Sequence, residues 1–306
     1  METLVDEIFQ LLKLAAELNL GDLMSRFDRL GGGSLHRMWK VETSKGRFVI
    51  KRLTLGHPER LERSEQLAEQ FREEGLPAVA AIEIGGKRVH TLDDQLWIVY
   101  PFVAGEIVPL SQMQPSHFES VAHLVRDLHH CNFPVGDTAR FHLYSDSHWE
   151  ALLPDHPYLI DWNQRYREVI PHLGEESVLS HTDIHFMNLL WEGGEPSLLD
   201  WEWAGAINPL QERIGVAMEF AGIIEGRFDR DVFDKIMEHS GGGCKSDPES
   251  AFFGWLGTSV MGWLEFNFRR KEVERGQKTV ELLMPTIAFI NDHLQELLTA
   301  CQSAAR

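Results

Sequence analysis

The stretch that decides the fold runs from residue 179 to 203 and reads LSHTDIHFMNLLWEGGEPSLLDWEW. It places Asp183, then Asn188 five residues on, then Asp200 twelve residues after that. Asp200 closes a short apolar run, Pro196-Ser197-Leu198-Leu199, which predicts a strand whose end aims the carboxylate. A lone Asp or Asn in a loop is most often a turn or cap residue. The spacing points elsewhere. One carboxylate can accept a hydrogen bond from an incoming hydroxyl, while a carboxamide oxygen and a second carboxylate are hard ligands for Mg²⁺. That is the layout needed to hold a nucleotide through Mg²⁺ and pass on its terminal phosphoryl group.

Mg²⁺ alone does not position a triphosphate, so the reading requires a cation from elsewhere in the chain. Lys51 lies in Phe48-Val49-Ile50-Lys51-Arg52, on the second strand of a hairpin predicted over 34–41 and 47–53 with its turn at Ser44-Lys45-Gly46. A lysine among apolar neighbours points into a polar cleft or snorkels to solvent. Arg52 faces the opposite way and is assigned to solvent. A charged amphipathic helix follows over 58–74 and stops near Gly75-Leu76-Pro77. Its apolar arc is Leu61, Leu67, Ala68 and Phe71, and at 100° per residue Glu65 falls on the margin of that arc. Glu65 is therefore the expected partner of Lys51, with Glu62 second. The Gly31-Gly32-Gly33-Ser34 run could bring backbone N–H groups close to phosphates, or be a plain turn. No P-loop pattern occurs, and His36 stands where the last Gly of G-x-G-x-x-G would be.

The whole chain is compatible with this. Its 306 residues allow one large domain or two moderate ones, and the 43% apolar fraction is enough for a substantial core. No apolar run reaches transmembrane length, and the first helix carries Glu2, Asp6 and Glu7 where a signal peptide needs bases. It reads as a packed amphipathic helix through Leu4, Ile8, Leu11, Leu12 and Ala15. Cys131, Cys244 and Cys301 are far apart and form no CxxC, which fits a reducing cytoplasm and small buried residues. The net charge of −18 argues against a nucleic-acid backbone or an anionic membrane as partner. The charge is uneven: residues 1–105 carry a net of −2, residues 106–200 a net of −11, and residues 201–306 a net of −5. The acidic middle either presents a field to a cationic substrate or is a solvated surface.

The order of elements predicts a sheet-rich part first and a helical part second. Strands are expected over 79–84 and 96–102, with the boundary in Pro101-Phe102-Val103-Ala104-Gly105. Helices are expected over 116–129, 158–170 and from about 209 onward, with a break at Gly241-Gly242-Gly243. A short strand over 177–179 leads into the loop that carries Asp183.

Taken together, these residues resemble the aminoglycoside phosphotransferase family, which includes choline-kinase-like and other small-molecule kinases. The resemblance rests on H-x-D-x-x-x-x-N (His181, Asp183, Asn188), the strand ending in Asp200, the hairpin Lys51, the helical Glu65 and Gly75-Leu76-Pro77, in matching order over about residues 25 to 215. It implies an α+β, protein-kinase-like bilobal fold. A small antiparallel-sheet lobe would span 1–100, a hinge 101–105, and a larger mainly helical lobe 106–306, with a cleft between them. It implies Asp183 as catalytic base, Asn188 and Asp200 as Mg²⁺ ligands, and Lys51, held by Glu65, on the phosphates of ATP, with GTP left open. Gly32, Gly33 and Ser34 would lie over the nucleotide, and 99–103, including Tyr100, Phe102 and Val103, would bind the purine. His181 would be mainly structural. Thr182, His185 and Met187 depart from common family residues without removing a group the chemistry needs.

The expected acceptor is a hydroxylated small molecule. A polycationic antibiotic of the aminoglycoside type is one reading and a cellular amino alcohol or sugar the other. Glu202, Glu212, Trp263 and Glu265 are the candidate acceptor contacts, with Glu219, Trp255 and Phe268 beside them. Two rivals stand against the kinase: a zinc hydrolase built on His181, Asp183 and His185, and a non-catalytic nucleotide-binding module. The first leaves Lys51, Glu65, Asn188 and Asp200 without roles. The second lacks the loss of base, lysine or metal ligand that marks such modules. The sequence leaves the oligomeric state open.

Overall fold

The computed structural model describes residues 4–31, 36–54, 56–135, 149–150, 153–269 and 273–304. The chain divides into two compact units. The first is Met1–Glu106 together with Leu190–Glu192 and Ser197–Ala204; the second is Ile107–Leu189, Gly193–Pro196 and Gly205–Arg306.

The first unit is built on an antiparallel sheet. After helix α1 (Leu4–Glu17) come strands β1 (Asp28–Leu30), β2 (Arg37–Thr43) and β3 (Gly46–Leu53), helix α2 (Pro58–Glu73), and strands β4 (Val89–Leu92) and β5 (Gln95–Pro101). The strand order is β1-β2-β3-β5-β4. Side chains alternate between the two faces of a strand, and both faces of this sheet are covered. On one, Trp39, Val41, Ile50, Trp97 and Val99 pack against Leu11, Leu14 and Ala15 of α1. On the other, Leu53, Ile98 and Tyr100 pack with Leu61 of α2 and with Val79, Ala81 and Leu199. Lys51 lies on this second face, opposite Ile98 in the register.

Three expectations change here. Residues 79–84 form no strand, because their amides go to separate partners. Val79 N donates to the Leu198 carbonyl, Ile82 N to that of Val99, and Ala81 N to the Glu65 carboxylate. The ladder strand is instead Val89–Leu92. Arg52 is not a solvent residue. It is 8% exposed, donates to Gln10 Oε1 at 2.9 Å and lies over the rings of Trp39 and Trp97, because α1 covers the face it points to. The same helix packs through Leu11, Leu14 and Ala15, leaving Ile8 and Leu12 about two-fifths exposed.

The second unit is mainly helical. Helix α3 (Pro115–His130) and helix α4 (Tyr158–Leu173) precede strand β6 (Val178–Ser180). The hairpin of β7 (Leu189–Glu192) and β8 (Glu195–Leu198), of which Leu190–Glu192 and Ser197–Leu198 belong to the first unit, turns on Gly193 and Gly194, with φ of 60° and 92°. A tight hairpin turn with both central residues at positive φ favours this Gly-Gly pair. Strand β9 (Gly205–Ile207) pairs antiparallel with β6. Helices α5 (Pro209–Phe220), α6 (Arg230–His239), α7 (Pro248–Leu256), α8 (Gly262–Arg269), α9 (Val273–Asp292) and α10 (Leu294–Ala304) follow. The Asn208 side chain accepts from the N–H groups of Leu210 and Gln211 and Pro209 stands at the first turn, a well-matched helix start. Almost every residue of α5 is buried, which makes it the central helix of the unit. A Cβ at Gly215 would lie 2.5 Å from the Trp255 ring, so a glycine lets α7 approach. Among the described residues no helix is long and apolar enough to cross a membrane.

Candidate active site

In the first unit the segment after β8 is drawn onto the sheet by short-range bonds. Leu198 N donates to the Pro77 carbonyl at 2.7 Å, and its own carbonyl accepts from Val79 N at 2.9 Å. Trp201 is fully buried against Phe71, ring centroids 5.3 Å apart, and its indole N–H donates to the Leu198 carbonyl. The residues after Gly75-Leu76-Pro77 thus anchor the chain carrying Asp200. Asp200 takes the left-handed conformation, φ 62°, which Asp tolerates better than most residues.

This brings Asp200 and Glu202 to Lys51. The ammonium donates to Asp200 Oδ1 at 2.9 Å and pairs with Glu202 Oε1. Burial alone would depress the Lys51 pKa, but the two carboxylates more than offset it and raise it. Glu202 is likewise held well below the usual carboxylate range: burial opposes ionisation, and His36 and Lys51 outweigh it. Arg60 stacks over the Trp203 ring at 4.3 Å beside this cluster.

The expected Lys51–Glu65 pair is not formed. Glu65 is fully buried, accepts the Tyr100 O–H at 2.5 Å and the Ala81 N–H at 3.0 Å, and both its oxygens are occupied. Burial pushes its carboxyl up to about 7, against the hydrogen bonds from Tyr100 and Ala81 and the charge of Lys51. Glu65 lies on the Lys51 face of the sheet, as its helical position implies, but Asp200 and Glu202, brought there by a distant segment, are the closer anions. Glu62, the second choice, instead accepts the N–H groups of Arg88 and Val89.

The proposed purine-binding segment is also partly committed. Tyr100 is buried with its hydroxyl on Glu65. The Phe102 N–H donates to the Arg47 carbonyl at 3.0 Å, and the Phe102 ring lies under Lys40 and Arg47. The Val99 carbonyl accepts from Ile82. Val103 packs at the edge of the second core cluster. Gly32, Gly33 and Ser34 lie outside the described residues.

In the second unit Asp183 follows β6 in a loop fixed from beneath. Thr182 has φ 65°, a costly conformation for a β-branched residue, on the order of 1–3 kcal/mol. Its N–H donates to Glu212 Oε1 at 2.8 Å, and Glu212 Oε2 meets His129 Nε2 at 2.5 Å. Burial would raise the Glu212 pKa, and His129, Ser180 and Thr182 lower it instead. His181 is fully buried, and its Nδ1 accepts the Asp183 N–H at 3.3 Å. The Asn188 Nδ2 donates to the Asp183 carbonyl at 2.9 Å, so its Oδ1 is the atom left to meet a cation. His185 Nε2 stands 3.7 Å from Asp183 Oδ2. Burial opposes ionisation of Asp183, yet the hydrogen bond and charge of His185, with His181 and Asn188, hold its pKa below the ordinary value.

Of the acceptor candidates, Glu212 is buried at 4% exposure with both oxygens engaged, so it supports the Asp183 loop and does not face a substrate. Glu202 is paired with Lys51. Glu265 is 1% exposed, and Trp263 stacks on Phe266 with centroids 5.4 Å apart, both on α8. Glu219, two turns beyond Glu212 on the same side of α5, is half-buried near Asp183 and His185, and burial lifts its carboxyl to about 7. His36 bonds to Glu202 and Glu212 to the Asp183 loop, placements the sequence does not indicate. His36 had one signal, its intrusion into a glycine pattern; Glu212 had none to indicate a buried support. Among the described residues no group of three His, Cys, Asp or Glu side chains is placed to hold a metal, so His181, Asp183 and His185 do not form such a group.

The family model described as "Phosphotransferase enzyme family" (APH) matches residues 26–235. No curated protein sequence matches. Among solved structures, the chain is similar in fold to a spectinomycin phosphotransferase crystallised with ADP and spectinomycin (TM-score 0.64, 11% identity, 96% of this chain and 98% of that one). It is similar to a choline/ethanolamine kinase family protein from Mesorhizobium loti (TM-score 0.59, 16% identity, 95% and 97%). A microcompartment-associated aminopropanol kinase is a third such structure (TM-score 0.63, 14% identity, 96% and 99%).

Proposed function

The chain belongs to the phosphotransferase enzyme family, with a protein-kinase-like fold, and from that premise we propose that it transfers the γ-phosphoryl group of Mg-ATP to a hydroxyl of an amine-bearing small molecule. That it is an enzyme, a small-molecule phosphotransferase, follows from the family. The observation that carries the finer reading is the pairing of Lys51 with Asp200 at 2.9 Å. A lysine held among anions is ready to exchange one of them for phosphate.

In this reading Asp200 and Asn188 would each offer an oxygen to Mg²⁺. Asp200 keeps one oxygen unpaired by Lys51 on a side chain 41% exposed, and the Asn188 amide turns its N–H₂ inward to the Asp183 carbonyl. All-oxygen ligation by a carboxylate and a carboxamide suits a hard cation. Bound there, the ion would neutralise charge on the phosphates. Asp183, ionised and near-exposed, would accept the hydrogen bond of the acceptor hydroxyl and receive its proton as the oxygen attacks. Lys51 would orient the phosphates, and Glu212 with His129 would keep the Asp183 loop in place.

An amine on the acceptor is supported by Glu219 near Asp183 and by the net charge of −11 over residues 106–200. Both an aminoglycoside-type antibiotic and a cellular amino alcohol satisfy that chemistry. The neighbours include an antibiotic phosphotransferase and an aminopropanol kinase. The test is phosphorylation from Mg-ATP across amino alcohols, aminoglycosides and amine-free sugars, paired with growth of a susceptible host under antibiotic. Turnover confined to amine-free sugars overturns the amine assignment. Turnover with amino alcohols and no rise in inhibitory concentration assigns a metabolic acceptor.

A further inference from the structure

Lys51 is shared by two anions, so a phosphate that meets the ammonium competes with both for its charge and its three N–H donors. Asp200 is the proposed metal ligand. Glu202 is then the competitor, and its hold on Lys51 depends on what else it touches. Its other oxygen, Oε2, lies 3.0 Å from His36 Nε2. The other ring nitrogen of His36, Nδ1, accepts the Thr54 N–H at 3.1 Å. A ring nitrogen that accepts from a backbone N–H carries no proton, so Nε2–H is the donor and Glu202 the acceptor. The His36 and Glu202 side chains are only 7% and 12% exposed, so water does not readily replace this bond. His36, Thr54, Lys51, Asp200 and Glu202 all belong to the first unit.

We propose that His36 is a positioning residue for the nucleotide: by holding Glu202, it sets how readily Lys51 is released to a phosphate group. A charge-assisted N–H bond draws on the carboxylate that Lys51 also uses, and it keeps Glu202 satisfied when Lys51 leaves. Without His36, Lys51 is the sole side-chain partner of the Glu202 carboxylate among the described residues, Arg60 reaching only its backbone carbonyl, and the pair tightens at the expense of phosphate. His36 occupies the position where the last glycine of a nucleotide loop pattern would stand, so this control is carried by a side chain in place of a glycine. The inference rests on the reading of Lys51 as the phosphate cation.

The test is ADP affinity without Mg²⁺, measured by calorimetry on the full chain, with melting temperature alongside. Glu202→Gln removes the competing charge and should tighten ADP by about three- to tenfold. His36→Ala should weaken it by a similar factor. His36→Gln, whose amide can both accept and donate, should stay near wild type. In the double variant His36→Ala/Glu202→Gln, affinity should equal that of Glu202→Gln alone. Weaker binding by Glu202→Gln, or a His36→Ala loss that persists in the Glu202→Gln background, overturns the proposal. If His36→Ala does not fold, His36→Asn, too short to span both partners, takes its place. Lys51→Ala separates the two readings. Unchanged ADP affinity there removes the phosphate-cation assignment and this proposal with it. A loss there, with no effect of the His36 and Glu202 variants, removes only the positioning role.

Discussion

Asp200 and Asp183 stand in regions that look alike in outline and differ in construction. Each follows a short strand, each is about two-fifths exposed, and each turn uses a left-handed residue, Asp200 itself or Thr182. Around Asp200 the contacts rest on charge: Lys51 pairs with two carboxylates, and Glu202 is also held by His36. Around Asp183 the contacts are to a neutral amide, an imidazole and a loop tied to buried Glu212. The first region is held by ion pairs, and the second keeps one carboxylate ionised and in place. A polyanion needs a cation that lets go of its resident anions, whereas a general base needs fixed geometry.

The comparison breaks most sharply at Asp183. Asp183→Ala should lower kcat by about 10²–10⁴ with nucleotide affinity nearly unchanged, because the loop acid acts on the acceptor. Steady-state kinetics beside a nucleotide titration checks this, and near-normal turnover removes the base assignment. Lys51→Ala should cost about 10²–10³ in kcat, the scale for losing one electrostatic contact to a reacting group, and should weaken nucleotide as well. Loss of kcat alone would place Lys51 away from the phosphates.

Glu212→Ala tests whether the second region is a support. It strands the Thr182 N–H and His129, so stability should fall by about 1–3 kcal/mol, with kcat lowered and the acceptor KM little changed. A raised acceptor KM at unchanged melting temperature would restore Glu212 as a substrate contact. The smallest effect is expected at Glu65. Its folded carboxyl titrates near 7, above the 4.5 of a free Glu, so the folded state binds the proton more tightly. Its contribution is complete below pH 4.5 and fades as pH rises through 7. Glu65→Gln should flatten that decline in denaturation curves between pH 4.5 and 8. An unchanged slope would show that Glu65 ionises freely.

Much of this was legible in the chain. The hairpin strand with Lys51, the helix of Glu65, the strand before Asp183 and the helix starting at Pro209 are written in local periodicity and caps. The misread elements share a cause. Residues 79–84 carry strand-like residues, but their amides bond to Leu198, Val99 and Glu65, two of which are carbonyls on other segments and one a side chain. Strand alternation turns Arg52 away from the Lys51 face, but alternation does not say whether a helix from residues 4–17 covers that outer face.

The sequence alone determined the chemistry: an acid, an amide and a second acid at set spacing, a lysine on a strand, and an excess of carboxylates. These are matters of residue type and short-range order. Tertiary structure decided the partnerships. Lys51 pairs with Asp200 across 149 residues of chain and with Glu202 just beyond it, Glu202 with His36 across 166, and Glu212 with His129 across 83. Charge pairing falls off over a few ångströms, so which of several nearby acids meets a lysine depends on backbone bonds such as those of Leu198 to Pro77 and Val79, which no local pattern encodes.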